Sequence, residues 1–441
     1  MTVRKEKQIR AERRRSNAVT GGRRGAVRMD RAIWGVALAT VLLVPLIVTP
    51  SAYDSFRLPK EMLVRAAGIL IVALAAIRWL IFGRSARWQP DRRWIFAAIV
   101  IGWTAVTALT ARQKTLAAES LLWVAAFAVL FVALDTGIVT GWWDLIYAVL
   151  FAALVNALYC LAAVAGWTAG YGIENGRATG FLGNSDDMGS YFGFAIVAAL
   201  ALSIATPRRR LLHVGVAVLL ILALMSTQTI GSFAALFASL AALALVVAGR
   251  RALTTVGILL LVGGLIVAVY QPFQGRVKRW LSASTSGKID DILSNRGAGI
   301  LAAWEMAKDR PLVGVGPGCY GYEFYRYKIR VEGRHESLAF ASTRPFNFGQ
   351  AHCDHLETMA QTGVPGYILL LAALGFVSLR SFTVPARGVA ARFARLAGLP
   401  LAVSFAVSAL PQFPMELAGP MITALAVAVP CTARVDDVEG N

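Results

Sequence analysis

The stretch IWGVALATVLLVPLIV, residues 33–48, contains no charged side chain and is the first of several apolar runs in a chain of 441 residues. Across the chain 57% of residues are hydrophobic and 16% are charged, whereas soluble domains carry about 25% charged residues. Runs of about 17–25 apolar residues match a helix that crosses a bilayer core of roughly 30 Å. The sequence therefore predicts an all-α polytopic membrane protein.

The apolar runs predict about twelve membrane spans. No small-residue cleavage pattern follows the first run, so we interpret it as a retained span rather than a signal peptide. The predicted spans start near residues 33, 61, 93, 118, 142, 188, 211, 230, 253, 364, 390 and 419. An even number of spans places both ends of the chain on one side of the membrane.

The distribution of basic residues favours one orientation. The formal net charge is +19, and much of it lies in the leader RKEKQIRAERRRSNAVTGGRRGAVR (4–28) and in the loops after the second, sixth, eighth and tenth spans. Such loops face the cytoplasm and the anionic lipids of its leaflet. Charge placed in this way indicates membrane lipids rather than nucleic acid as the partner, and it predicts cytoplasmic termini.

The predicted spans divide the chain into five parts. These are a basic cytoplasmic tail that we predict to be disordered (1–31), spans one to nine with a short external loop near 167–187 (32–270), a long external loop (271–363), spans ten to twelve (364–432) and a cytoplasmic C-terminal tail (433–441). Loops longer than about 60 residues escape the charge rule, so the basic long loop is compatible with this topology.

Two segments of the long loop have helical patterning. They are RVKRWLSAS and GAGILAAWEMAKD, and in the second Ile300, Leu301, Trp304 and Ala307 share one face at helical spacing. We expect amphipathic helices that lie on the membrane surface or cap the bundle. The GVGPG element (314–318) lacks the strand and helix of a nucleotide fingerprint, and we interpret it as a tight turn.

The short external loop contains an isolated cation. In ENGRATGFLGNSDDMGSYFGF (174–194), Arg177 lies in an otherwise uncharged, glycine-rich turn, a setting in which a guanidinium suits an anionic ligand. Asn184, Asp186 and Asp187 come just before an apolar run and are typical of a helix N-cap.

Two of the four histidines occur in QAHCDHLETMAQTGVPGY (350–367). Three interpretations stay open: His352, His355 and Asp354 could bind zinc, both histidines could be interfacial residues with satisfied hydrogen bonds, or one could be a general base. Nearby, Cys319 and Cys353 could form a disulfide in an oxidising compartment or remain two separate thiols.

Four segments carry a resemblance to a known family. They are YDSFRLPKEMLV (53–64), RATGFLGN (177–184), NRGAGILAAWEMAKDRPLVGVGPGCYGYEF (295–324) and AHCDHLETMAQTGVPGY (351–367). In this order they resemble the O-antigen ligase/O-antigen polymerase family of bacterial membrane glycan transferases, over roughly residues 33–429. Cys353 and Gln361 stand where that family commonly has Asn and Glu, and Ile230 stands at the position of an arginine.

The resemblance implies a GT-C-like bundle of about twelve helices in the bacterial inner membrane, with a long periplasmic loop and an active site that faces the periplasm. It implies a donor glycan on undecaprenyl pyrophosphate and an acceptor that is lipid A–core or a growing glycan. Because the leaving group of such a donor is already activated, we expect neither a cofactor nor a metal. It carries the catalytic base onto His352 and the pyrophosphate-binding arginines onto Arg177 and either Arg296 or Arg279. Supporting positions are His355, Glu357, Asn184 and Tyr320.

Ligase and polymerase are not separated by these motifs, and a capsule or exopolysaccharide polymerase is a further alternative. A transporter or flippase of lipid-linked sugars is the alternative from another class. Transport pathways usually contain intramembrane ionisable residues, and these spans contain few. The oligomeric state is left open.

Overall fold

The computed structural model describes residues 25–83, 91–168, 172–286, 293, 296–334, 338, 348–384 and 387–433. Residues 434–441 of the predicted C-terminal tail and residues 1–24 of the predicted N-terminal tail lie outside these ranges. Helix α1 covers residues 25–43, so the last part of the tail that we predicted to be disordered is helical.

Helices make up most of the described chain. After α1 they are α2 (Arg57–Phe82), α3 (Arg92–Thr110), α4 (Lys114–Val164), α5 (Ser185–Ala205), α6 (Arg210–Thr227), α7 (Ile230–Ala248), α8 (Ala252–Val269), α9 (Gln271–Ser286), α10 (Gly297–Asp309), α11 (Tyr320–Glu332), α12 (Asp354–Thr383), α13 (Gly388–Ser408) and α14 (Ala418–Thr432). The predicted all-α membrane architecture is thereby confirmed.

Nine segments of the described chain are helical, long and apolar enough to cross a membrane. Helix α4 supplies two of them, Lys114–Gly137 and Gly141–Val164. The other predicted spans fall on α1, α8 and α14, which are not among the nine. The number twelve and the GT-C-like arrangement therefore stay predictions.

Helix α5 is the centre of the bundle and is buried along nearly its whole length. It packs against α6, α7, α13 and α14. Small residues allow this close packing, as in other membrane bundles: a Cβ at Gly189 would collide with side chains of Thr229 and Ser232 near the start of α7. The same contact brings the first turns of α5 and α7 to one end of the bundle.

A short hairpin precedes α5 and was not predicted. Strands β1 (Ile173–Glu174) and β2 (Arg177–Ala178) pair antiparallel, with Glu174 opposite Arg177. Asn175 and Gly176 form its turn, both with positive φ. An Asn-Gly pair is the strongest short-range hairpin signal, so this hairpin could have been predicted from the sequence.

In its described part, before α12 begins, the long loop contains α9, α10 and α11, and α9 and α10 match the predicted helical segments. The prediction of which face of α10 is buried is partly wrong. Trp304 is 45% exposed, whereas Ala302, Ala303 and Met306 are buried where α10 packs on α11 and α12. The helix turns its small residues inward because they permit close packing.

Helix α12 begins at Asp354, ten residues before the predicted span, and bends at the predicted start. Gly363 has φ 74° and ψ 177° inside the helix, and Val364 N–H donates to the carbonyl of Pro311 at 2.7 Å. Glycine is required here since the left-handed region disfavours residues with a Cβ. The bend joins a polar segment of α12 to its apolar segment.

Candidate functional site

Two of the predicted anion-binding arginines meet at one carboxylate. Arg177 Nη2 lies 2.6 Å from Asp186 Oδ1, and Arg296 Nη2 lies 3.0 Å from Asp186 Oδ2. Each of the three side chains is about a quarter exposed. The carboxylate thus holds two guanidinium groups side by side where a ligand can reach them.

The backbone fixes both arginines from behind. Arg177 Nε donates to the carbonyl of Thr227 at 3.0 Å, at the end of α6. Arg296 precedes the first turn of α10, and its Nη1 donates to the carbonyl of Pro411 at 2.5 Å. Each guanidinium therefore donates one hydrogen bond to a backbone carbonyl and another to Asp186.

Asn184 orients Asp186. As the N-cap of α5, its side chain accepts hydrogen bonds from the N–H groups of Asp186 and Asp187. The sequence had suggested that all three residues form the cap. The structure assigns capping to Asn184 alone and gives Asp186 to the arginines, a role that no local pattern indicated.

His352 lies just before α12 with φ 56°, in the left-handed region that non-glycine residues rarely adopt. Its ring makes edge-to-face contacts with Phe348 and Phe413, at centroid distances of 5.8 and 4.9 Å. Its Nδ1 is buried without a hydrogen-bond partner among the described residues. Aromatic packing rather than hydrogen bonding at Nδ1 holds the imidazole.

Burial lowers the pKa of His352 from 6.5 to about 4, and the charges of Arg296 and Arg57 act in the same direction, while Asp186 opposes them. The imidazole is therefore neutral near pH 7, which is the form that accepts a proton. An anion bound at the arginines would offset their charge and raise this pKa. The basicity of His352 is thus linked to the occupancy of the arginine pair.

Glu357 fixes the backbone that carries His352. Its Oε2 accepts the N–H of Ala351 at 2.7 Å, and its Oε1 accepts from Gln361 Nε2 at 2.9 Å. Gln361 Oε1 in turn accepts the N–H of Gly318 at 2.6 Å. This chain of three hydrogen bonds links the His352 segment to the GVGPG turn.

The GVGPG turn packs on α12 beside this chain. Gly314, Gly316 and Gly318 all have positive φ, and the N–H of Val315 donates to the carbonyl of Ala360 at 2.8 Å. A Cβ at Gly314 would collide with the backbone of Gln361. The predicted tight turn is present, and the glycines allow it to touch α12.

Asp354, which the zinc interpretation had included, and the supporting residue Tyr320 both make structural contacts. Asp354 Oδ2 accepts the N–H of Met415 at 2.8 Å. Tyr320 donates its hydroxyl hydrogen to the carbonyl of Gly299 at 2.8 Å, which ties α11 to the start of α10 beside Arg296.

His355 does not join the site. Its Nε2 lies 2.8 Å from the carbonyl of Ala406, so it donates there and fastens α12 to α13. Its ring also contacts Tyr367 edge to face. Of the two histidines, only His352 lies with the arginine pair.

Arg57 is a site residue that sequence reasoning missed. Its guanidinium lies over the ring of Phe413, 5.3 Å from the centroid, and Phe413 also contacts His352. The segment YDSFRLPKEMLV had contributed to the resemblance without a role for its arginine. Only the packing of α2 beside the segment before α14 shows that Arg57 belongs here.

The remaining predictions divide as follows. Arg279 lies on α9, but its side chain falls outside the described part of the structure. All four cysteines are free and buried, so Cys319 and Cys353 are not bridged. No group of three or more His, Cys, Asp or Glu side chains suited to a metal ion occurs in the described ranges.

Part of the site lies in a segment of the chain that matches a known sequence family. The family model for O-antigen ligase matches residues 215–371, from α6 to the middle of α12. That segment contains Arg296 and His352, while Arg177 reaches them from outside it. The resemblance inferred from the motifs is thereby confirmed over this segment. No curated protein matches the chain.

Proposed function

We propose that this multi-pass membrane protein, whose residues 215–371 belong to the O-antigen ligase family, transfers a glycan from undecaprenyl pyrophosphate to an acceptor hydroxyl at the outer face of the bacterial inner membrane. The observation that carries the proposal is the convergence of Arg177 and Arg296 on Asp186 beside a neutral His352. The acceptor is lipid A–core or a growing glycan of the same lipid-linked type.

The arginine pair is suited to the donor's pyrophosphate. Guanidinium groups bind phosphate oxygens through paired, charge-assisted hydrogen bonds. Asp186 keeps the two groups convergent before the donor arrives, so less side-chain ordering is needed on binding. Because one carboxylate balances only one of the two cations, the pair keeps a net positive charge for the donor.

His352 is suited to removing the proton from the acceptor hydroxyl. In the proposed step the hydroxyl oxygen forms a bond to the anomeric carbon while the bond from that carbon to the pyrophosphate oxygen breaks. The proton goes to the imidazole, and the bonding electron pair goes to the pyrophosphate. Attack opposite the leaving group inverts the anomeric centre.

The arginines also stabilise the leaving group. Negative charge develops on the pyrophosphate as the bond breaks, and positioned cations in a water-poor site stabilise such charge strongly. The leaving group is already activated, so the proposed reaction requires no cofactor and no metal ion.

The arrangement of the helix ends supports the proposed sidedness. The site lies where α2, α5, α7, α12 and α14 begin. The other end of the bundle carries the basic loops, with ion pairs from Arg78 to Asp30 and from Arg93 to Asp135. Basic loops commonly face the cytoplasm, and this supports a site on the opposite, periplasmic side.

The test is sugar transfer by the purified protein in vesicles without a transmembrane gradient. His352→Ala should lower kcat by roughly 10²–10⁴-fold if the imidazole is the base. Arg177→Lys and Arg296→Lys should raise the KM for donor, because lysine cannot reproduce the forked contact. His213→Gln, at the other end of the bundle, is the matched control and should retain activity.

Turnover by a folded His352→Ala variant at the wild-type rate would remove His352 from this role. A requirement for an ion gradient would favour a transporter instead. Glycolipids of a deletion strain separate the acceptors: loss of polymer from lipid A indicates a ligase, and single-repeat products indicate a polymerase.

A further inference from the structure

The connection between α13 and α14, residues 409–417, contacts both parts of the proposed site. The carbonyl of Pro411 accepts a hydrogen bond from Nη1 of Arg296. The ring of Phe413 packs edge to face against the imidazole of His352, with 4.9 Å between the ring centroids. Because Pro411 and Phe413 are only two residues apart, a shift of the backbone between them would displace both contacts. The position of this connection therefore sets the place of the proposed base relative to the arginine pair.

Apolar side chains make up nearly all of the connection. Residues 409–413 form turns and a bend rather than a helix or a strand. Within ALPQFPM (409–415), Gln412 is the only residue whose side chain carries an amide, a hydroxyl or a charge. Apolar burial is not directional, so it covers this segment without specifying one position for it. The amide of Gln412 can specify a position, because hydrogen bonds have defined lengths and angles.

The side chain of Gln412 is buried, with the residue 5% exposed, and it bonds to two helices of the core. Its Oε1 accepts a hydrogen bond from the hydroxyl of Ser190 on α5. Its Nε2 donates to Oγ of Ser232, on the first turn of α7, at 3.4 Å. A buried amide without partners is costly, and here the oxygen and the nitrogen each have one. The two hydrogen bonds fasten the connection to α5 and α7.

The helix ends that Gln412 joins also support the arginine pair. Ser190 lies one turn after Asp186, and its Oγ is 3.4 Å from the carbonyl oxygen of Asp186. Helix α7 begins just after the end of α6, where the carbonyl of Thr227 accepts from Arg177. Gln412 therefore links the segment that contacts the proposed base to the helix ends that fix the arginines.

We infer that Gln412 is a positioning residue for the transfer reaction, and that it holds the base His352 in register with the pyrophosphate-binding arginines. This role rests on the proposed function and adds a residue outside the family segment 215–371. Gln412 acts through the backbone of Pro411 and Phe413 and contacts neither donor nor acceptor.

The first test replaces Gln412 by methionine, which has a similar length and lacks the amide. Gln412→Met should lower kcat/KM for the donor roughly 10- to 100-fold, the range expected for two lost hydrogen bonds between neutral groups. Both constants should change, because displacement of Phe413 lowers kcat and displacement of Pro411 raises the KM for donor through Arg296.

The pH profile gives a readout that a loss of folded protein does not change. Burial, to which Phe413 contributes, lowers the pKa of His352 to about 4, while the charges of Arg296 and Arg57 lower it and that of Asp186 raises it. A displaced connection exposes the imidazole, so its pKa rises. The acid limb of kcat/KM in Gln412→Met should therefore move from near pH 4 toward pH 6.5. A smaller amount of folded enzyme would instead lower the rate by the same factor at every pH.

The second test removes the partner on α5. Ser190→Ala leaves Oε1 of Gln412 without its donor and should change kcat, KM and the acid limb in the same directions by a smaller factor. The double variant Ser190→Ala with Gln412→Met should lose no more than Gln412→Met alone, because the two residues act through one hydrogen bond.

The matched control is Ser203→Ala, the same substitution on the same helix, about 20 Å further along its axis. Ser203 is also buried, and its Oγ donates to the carbonyl of Leu200 within α5. Ser203→Ala should leave kcat, the KM for donor and the acid limb unchanged.

Thermal unfolding of each variant, monitored in detergent, shows whether it is folded. An unchanged KM for donor and an unmoved acid limb in folded Gln412→Met would overturn the positioning role, as would additive losses in the double variant. If Gln412→Met does not fold, the KM and the acid limb of Ser190→Ala decide in the same way. All these outcomes compare variants of an active enzyme and leave the transfer reaction intact, whereas absence of transfer by the wild type would count against the proposed function itself.

Discussion

Replacing Glu357 by glutamine should uncouple His352 from its support without changing side-chain size. Glu357 receives two donors, the N–H of Ala351 and the amide of Gln361, and Gln361 already uses its oxygen on Gly318. A glutamine at position 357 has only one acceptor oxygen. No rotation of the two amides satisfies every donor, so one buried N–H group always loses its partner.

An unpaired buried donor costs about 1–3 kcal/mol, and each 1.4 kcal/mol corresponds to a tenfold change in an equilibrium. If that energy holds the segment around His352 in place, Glu357→Gln should lower kcat by roughly 10- to 100-fold. The KM for donor should change little, because the hydrogen bonds of Glu357 and Gln361 do not hold Arg177 or Arg296. The assay is steady-state transfer in vesicles, with thermal unfolding of the same samples.

A second substitution should rescue the first. In the double variant Glu357→Gln with Gln361→Glu, the new carboxylate at 361 accepts from Gly318 and from the amide at 357, whose oxygen accepts the N–H of Ala351. Every donor is satisfied again, and kcat should recover most of the loss. Wild-type kcat in the single variant, or no recovery in a folded double variant, would refute the reasoning.

Three further predictions follow from single residues. The pKa of His352 is about 4 in the free protein, so the imidazole stays in its base form as the pH falls to that value. The acid limb of the pH profile of kcat/KM should therefore lie well below pH 6.5, and a limb at or above pH 6.5 would contradict the buried environment of His352. Gly363→Ala should lower stability by at least the roughly 1–2 kcal/mol of a left-handed Cβ, because the added atom also collides with the carbonyl of Leu312, and an unchanged unfolding temperature would exclude this strain. Asn184→Ala removes an N-cap, at a cost of about 1 kcal/mol, and should raise the KM for donor through a less ordered Asp186, whereas Asn184→Ser should retain most of both properties.

Some features of the site could be predicted from neighbours in the sequence. Asn184 before an apolar run predicts a helix start, and the structure has one there. The segments of α9 and α10 are helical, as their patterning indicates. The Asn-Gly turn at residues 175–176 carried an equally strong signal for the hairpin that positions Arg177.

Other features depend on contacts between distant residues. Asp186 and Arg296 are 110 residues apart, and no periodicity in either segment brings them together. Arg57 belongs to the site because Phe413, from the other end of the chain, packs beneath it. The inward face of α10 could not be found from hydrophobicity, since close packing selected its small residues instead of Trp304.

The sequence by itself determined that this is a helical membrane protein with a polar segment around His352. Apolar runs of membrane length are enough for that, because a bilayer admits only segments whose backbone groups are hydrogen-bonded internally. Only the tertiary structure decided which charges meet, namely Arg177 with Arg296 through Asp186 and Arg57 beside His352. The physical reason is that helix formation depends on neighbouring residues, whereas the pairing and burial of charges depend on how the finished helices pack.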